Sequence, residues 1–347
     1  MAQNVPVVGS ENEIGSQIST FAVIDLETTN LPQYNQNRVS ITEMCIYAFD
    51  SAILKDNPTE SLELRDDVSP ELCQEPPRPP RVLHKLNLLF QPSMAVNPVS
   101  EHITGLSNYL LERESKLNEN AGQLVLRFIE HLPAPVCLIA HNGWHFDFPI
   151  IRKSFDKLNI QFPASLRCVD SLRAFMEIDD KRNEDLCMRK STTSIVEPES
   201  KPSSSKEVDF EARNNKTPER PTLPRDEAIR KRKRLSDGCD DEDIIDLTLD
   251  SPVKRTPQKF RSRRQLFEGL KCATTKRIPP QGSYRLGNLF YKTFSRPAID
   301  AHQAEADVQM LTQLVQHYGT DFLAFAEEQS IPFSEVIPLG GTIRNNK

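Results

Sequence analysis

The stretch Phe21-Ala-Val-Ile-Asp25-Leu-Glu27-Thr-Thr-Asn-Leu-Pro32 decides the fold. Phe21 to Ile24 is a short apolar, partly β-branched run of the kind that forms a core strand. Side chains alternate across a strand, so Asp25 and Glu27, two apart, point to one face. Two carboxylates on one face raise each other's pKa unless a cation lies between them. Hard divalent cations such as Mg²⁺ favour that all-oxygen setting. Thr28 to Pro32 then breaks the strand, leaving the pair at an edge open to a substrate. Two solvated acids capping a strand is the alternative that this stretch alone leaves open.

Two further stretches extend the pattern. Val136 to Ala140 reads as a strand and leads into His141-Asn142-Gly-Trp-His-Phe146-Asp147. Asp300-Ala-His302-Gln-Ala-Glu305-Ala-Asp307 opens a helical pattern. In these motifs and their order the chain resembles the DEDDh branch of the DnaQ-like 3′→5′ exonucleases, and within it the three-prime repair exonuclease (TREX) family. The resemblance spans roughly 18–178 and 282–330. It implies an α/β, ribonuclease H-like mixed sheet with helices on both faces. Three early strands followed by alternating helices and strands point the same way.

A phosphodiester resists attack because its anionic oxygens repel nucleophiles, and a pair of divalent ions can clamp both the attacking and the leaving oxygen. Asp25, Glu27, Asp147 and Asp307 are the candidate ligands, for two Mg²⁺ or Mn²⁺ ions. His302 is the candidate general base, since an imidazole titrates near neutral pH. Five residues separate His302 from Asp307, about 140° around a regular helix. His302 is therefore expected on the loop before the helix, free to swing, with Asp307 in the first turns. Asp170 reads as a helix cap and Glu305 as a solvated helix acid. The resemblance further implies that Leu31, Ile103 and Phe146 meet the 3′-terminal bases, and that Asn142 orients the substrate. His141 reads as a structural partner. Thr28-Thr29-Asn30 departs from the Ala-Thr-Gly usual in that family.

Outside these motifs, residues 1–18 read as a tail. Strands are expected over 39–49, 82–90 and 165–169. Helices are expected over 108–117, 121–131, 144–158, 283–294, 304–318 and 321–329, with a C-terminal tail over 331–347. The polar loop 50–81 ends in Pro76-Pro-Arg-Pro-Pro80, a polyproline II composition, which the resemblance implies is a partner-docking element. The resemblance also implies a homodimer paired through an edge strand, for which 82–90 is a candidate.

Residues 181–280 break the pattern: Ser, Pro and charged residues dominate and no period persists, which predicts a disordered insertion. They hold 24 Lys/Arg against 18 Asp/Glu, so with a net −6 for the chain the remainder carries −12. So acidic a remainder excludes a broad basic surface that coats duplex, and favours gripping a strand end through metal ions, backbone N–H groups and stacking. Within the insertion, Arg230-Lys-Arg-Lys-Arg234 suggests nuclear import. Ile244, Ile245, Leu247 and Leu249 among acids resemble a SUMO-interacting motif, which would add a strand to a partner sheet. Ser251-Pro and Thr256-Pro resemble cyclin-dependent kinase sites, and Arg264-Gln-Leu266-Phe267 resembles a cyclin-docking motif; phosphate at Ser251 would tune the acidic-apolar segment.

Seven cysteines without Cys-x-x-Cys or zinc spacing predict a reducing compartment. No apolar run reaches membrane-spanning length, and Met1 to Ser19 lacks the features of a signal peptide. A soluble intracellular protein, nuclear or cytoplasmic, is expected. The leading expectation is a metal-dependent 3′→5′ DNA exonuclease acting on single-stranded 3′ ends and releasing nucleoside 5′-monophosphates. An RNA 3′-exonuclease of the same superfamily, or a non-catalytic DNA-end adaptor recruiting SUMO-modified partners, are the alternatives.

Overall fold

A computed structural model describes residues 18–55, 75–193, 266–267 and 269–341. The opening stretch is β1 (Thr20–Thr28), paired antiparallel with β2 (Ile41–Asp50), which pairs antiparallel with β3 (His84–Leu89). On its other side β1 runs parallel to β4 (Val136–Ala140), and β4 parallel to β5 (Arg167–Asp170). A short β6 (Ile331–Pro332) closes the order β3-β2-β1-β4-β5-β6. The expected mixed sheet with helices on both faces is present.

Strand alternation divides the core into two layers. Phe21 and Val23 face a layer with α4 (Ser171–Thr193), α5 (Leu286–Phe294) and α6 (Ala304–Gln329). Ala22, Ile24 and Leu26 face α2 (Glu119–His131) and α3 (Asp147–Lys157). By the same parity Asp25 and Glu27 point to the α6 side. α6 is interrupted at Gly319, whose φ of 53° and ψ of −126° lie far from helical values. This is the break expected between 318 and 321.

Several expectations are corrected. The helix expected over 108–117 is absent; instead α1 (Pro98–Thr104) ends just before Gly105. Asn97 caps α1 through Val99 N–H, Pro98 sits in the first turn, and Gly105 ends the helix at φ 73°, the conformation glycine adopts most readily. α3 begins at Asp147 rather than Trp144, because residues 141–146 form a tight turn. Ile18 is buried, and the segment after 330 is no loose tail: β6 pairs with β5, and Phe333 is buried beside Phe148 and Phe162.

α4 runs past residue 180 to Thr193, and residues 266–267 and 269–280 join the fold. Phe267 is buried edge-on against Phe325. The Glu328 carboxylate accepts the N–H groups of Leu266 and Phe267, at 3.1 and 2.7 Å. The cyclin-docking reading of Leu266 and Phe267 is thereby corrected: their side chains and backbone are engaged by the protein's own core. Arg230–Arg234, Ile244, Ile245, Leu247, Leu249, Ser251, Thr256 and Arg264 lie outside the described residues. Among the described residues no helix is long and apolar enough to cross a membrane.

Candidate active site

The site is built at the carboxyl ends of β1 and β4, where open α/β sheets commonly hold ligands. Single carboxylate oxygens of Asp25, Glu27 and Asp307 lie within 4.8 Å of one another. β1 delivers the first two, and the first turn of α6 delivers the third. Asp147, at the start of α3, is 1% exposed, and its Oδ1 is buried without a hydrogen-bond partner. The Leu26 backbone amide beside it favours the ionised carboxylate against the effect of burial.

The electrostatics are those of a site built for positive charge. Burial, then Asp147, Glu27, Asp307 and Glu43, hold the Asp25 pKa well above the usual range. Burial, then Asp307, Glu43 and Asp147, push Glu27 up to about 9. Burial also raises Asp147 and Asp307. Several acids each made costly to ionise by the others is an unfavourable metal-free arrangement. Divalent cations fit this donor set: the ligands are all oxygens, and the orphaned Asp147 Oδ1 lacks the partner that a cation would supply.

His302 lies on the exposed loop before α6, as the five-residue spacing requires. It has φ 70°, and Asp300 has φ 54°. The His302 backbone N–H donates to both Asp307 oxygens, at 3.3 and 3.4 Å, leaving the imidazole outside this tie.

The loop carrying Asn142 is shaped from β5. Asp170 Oδ1 accepts from Asn142 N–H at 3.0 Å and from Leu172 N–H at 2.9 Å, while Oδ2 accepts from Trp144 N–H at 3.2 Å. Asp170 is therefore more than the expected helix cap, since it also pins the β4–α3 turn that leads to Asp147. Burial raises its pKa to about 6 against the pull of these N–H groups. Gly143 makes the turn possible: a Cβ there would sit 2.7 Å from both Ala140 and Phe148. His141 bridges the Ser171 hydroxyl and the Tyr284 carbonyl, and burial lowers its pKa to about 4. This is the structural role expected of it.

A cleft of about 1170 Å³ joins Asn142, His302 and Asp307 to Tyr284, Arg285 and Tyr291. Leu31, Ile103 and Phe146 do not line it. Leu31 and Ile103 are 44% and 46% exposed, and α1 is fixed beside the loop after β1 by a bond from Asn97 N–H to the Thr29 carbonyl. Phe146 is partly buried and packs on the α2–α3 layer.

The sequence reading overlooked Glu43. It is 8% exposed and pairs directly across the ladder from Glu27. The reading of Glu305 as a solvated helix acid is also corrected: its carboxylate accepts from the Tyr47 hydroxyl at 2.5 Å and pairs with Lys85 at 3.6 Å. An acid within the mostly apolar body of β2 was the available signal for Glu43.

The acids clustered at the exit of β1 of a mixed sheet are the arrangement that the motifs led one to expect. The chain is similar in sequence to the three-prime repair exonucleases. It is 34% identical to bovine three-prime repair exonuclease 1 over 165 residues, covering 47% of this chain and 49% of that protein. The human counterpart is 32% identical over 175 residues, covering 50% and 52%. Mouse three prime repair exonuclease 2 is 32% identical over 162 residues, covering 46% and 62%. The chain thus matches about half to three-fifths of the length of these relatives. No family model matches. Among solved structures, E. coli exonuclease I with a dT13 oligonucleotide is 13% identical, with a TM-score of 0.44 over 87% of this chain and 41% of that one. Cell-death related nuclease 4 is 12% identical, with a TM-score of 0.42 over 87% and 64%.

Proposed function

We propose that this protein is a divalent-metal-dependent 3′→5′ exonuclease that removes nucleoside 5′-monophosphates from DNA ends. The observation that carries the proposal is the convergence of Asp25, Glu27 and Asp307 within 4.8 Å, beside the orphaned carboxylate of Asp147. These four residues would hold two Mg²⁺ or Mn²⁺ ions. When bound, the ions offset the charge of the scissile phosphate and stabilise the attacking and leaving oxygens.

The chain's own residues supply the remaining chemistry. His302 takes the proton of the attacking water on a ring nitrogen, and its loop lets it close on a bound strand and withdraw from product. Asn142, exposed on the pinned turn, donates to the terminal nucleotide. Leu31 and Ile103 meet the last bases through contacts that tolerate any sequence. The acidic balance outside 181–280 suits a short grip on a strand end. β3, at the sheet edge, is where two copies would pair. The names of the relatives, at 32–34% identity, support the direction of digestion.

The test is digestion of matched DNA and RNA strands with Mg²⁺, with the products identified by mass spectrometry. The proposal predicts nucleoside 5′-monophosphates from DNA. Faster digestion of RNA would make the protein a ribonuclease of the same chemistry, and internal fragments or 3′-monophosphates would reject the exonuclease reading.

A further inference from the structure

Glu43 is the buried acid for which the mechanism above has no use. It sits opposite Glu27, and like charges directly opposite in an antiparallel pair are destabilising. Both of its oxygens are already engaged. Oε1 accepts from Asn87 Nδ2 of β3 at 3.1 Å, and Oε2 accepts from the Ala304 backbone N–H at 3.2 Å. Ala304 is the first residue of α6, and Gln303, which precedes it, makes no side-chain cap. Glu43 therefore caps a helix that begins 261 residues further along the chain. A second tie follows on the same strand face. The Tyr47 hydroxyl donates to Glu305 Oε1 and accepts from Lys85 Nζ at 2.7 Å.

These ties fall between two parts of the site with opposite needs. Asp307 lies three residues beyond Ala304 and must stay fixed against Asp25 and Glu27. His302 lies two residues before it, on a loop with two positive φ values. We infer that Glu43 is a positioning residue: by holding the Ala304 N–H it sets the point where the His302 loop ends and the rigid Asp307 turn begins. The inference rests on the proposed nuclease reading for its consequence, and on geometry alone for the clamp. A negative cap suits the positive end of the helix. A neutral acceptor would leave the Asn87 amide without its charged partner and weaken both bonds.

The test uses the full chain and three readouts. Glu43→Gln is expected to lower kcat by about 10- to 100-fold, the worth of one charge-assisted hydrogen bond, with KM changed less than about threefold. Amide exchange at Ala304–Val308 should quicken at least about tenfold, while Phe322–Ala326 beyond the Gly319 break stays unchanged. Mn²⁺ affinity, by calorimetry, should fall. Unchanged kcat and exchange would overturn the inference, as would faster exchange along all of α6 with a matching fall in Tm, because Glu43 would then serve stability alone. If the wild type digests no nucleic acid, the nuclease reading fails, but exchange and Mn²⁺ binding still decide the clamp. If Glu43→Gln does not fold, Asn87→Ala, which frees one carboxylate oxygen, carries the test: a smaller change of the same kind supports the clamp and no change overturns it.

Discussion

Replacing Asp25 by Asn should make the metal-free protein more stable while abolishing its activity. Asp25 has Glu27 and Asp307 oxygens within 4.8 Å, and Asp147 and Glu43 beside them. One pair of like charges at that distance repels by about 3.5 kcal/mol in an effective dielectric of about 20. Because the raised pKa values leave these acids partly protonated and the residue retains some contact with solvent, the effective repulsion is reduced to about 1–2 kcal/mol. For a folded part of this size that is a rise of roughly 2–8 °C in Tm. The gain depends on pH in a defined direction. In the folded protein the pKa values of Asp25 and Glu27 are raised, whereas in the unfolded chain these acids ionise near pH 4. The folded state thus holds extra protons above that pH, and its stability falls as pH rises toward the folded pKa, about 9 for Glu27. Differential scanning fluorimetry in chelator should show Asp25→Asn melting above wild type at pH 8, with a smaller gap at pH 5. Saturating Mn²⁺ should reverse the order, since a ligand at a hundredfold its Kd stabilises by about 2.7 kcal/mol and the variant has lost a ligand oxygen. A variant that melts below wild type in chelator at pH 8 would refute the reasoning, because it would mean that Asp25 makes net favourable contacts without metal.

Other substitutions separate chemistry from packing. His302→Ala should lower kcat by about 10²- to 10⁴-fold, with DNA binding and Tm retained because the side chain is exposed; equal losses in binding would contradict a general-base role. Leu31→Ala with Ile103→Ala should raise KM for single-stranded DNA by roughly tenfold and leave Tm nearly unchanged, as both side chains are largely in solvent. Phe267→Ala should destabilise by about 3–5 kcal/mol in urea denaturation, since the ring is buried against Phe325; a neutral outcome would return this segment to the role of an exposed docking motif.

How much of this was legible in the sequence depended on whether the signal was local. β1 could be read because a short apolar run and its terminal acids lie within one strand. The placement of His302 followed from helix geometry alone, and the break between helices expected over 304–318 and 321–329 falls at Gly319. α1 escaped, although Asn97, Pro98 and Gly105 are strong punctuation, because none of its residues is buried and it shows no apolar stripe. Glu43 escaped because its meaning arises from two partners distant in sequence, Glu27 across the ladder and Ala304 at the head of α6. Phe267 looked like part of a short exposed motif because its seat is assembled from α6, and from Lys181 of α4, whose ammonium lies 5.5 Å from the ring centre. Asp170 was half read: the cap is local, but the turn it pins belongs to another strand.

The most direct test of the central claim is digestion of a 5′-labelled single-stranded DNA with Mg²⁺, wild type beside Asp25→Ala. The account predicts a ladder shortening one nucleotide at a time from the 3′ end, absent with the variant and restored to no degree by Mn²⁺. Intact DNA with wild type under both metals, or an equal ladder from Asp25→Ala, would contradict it.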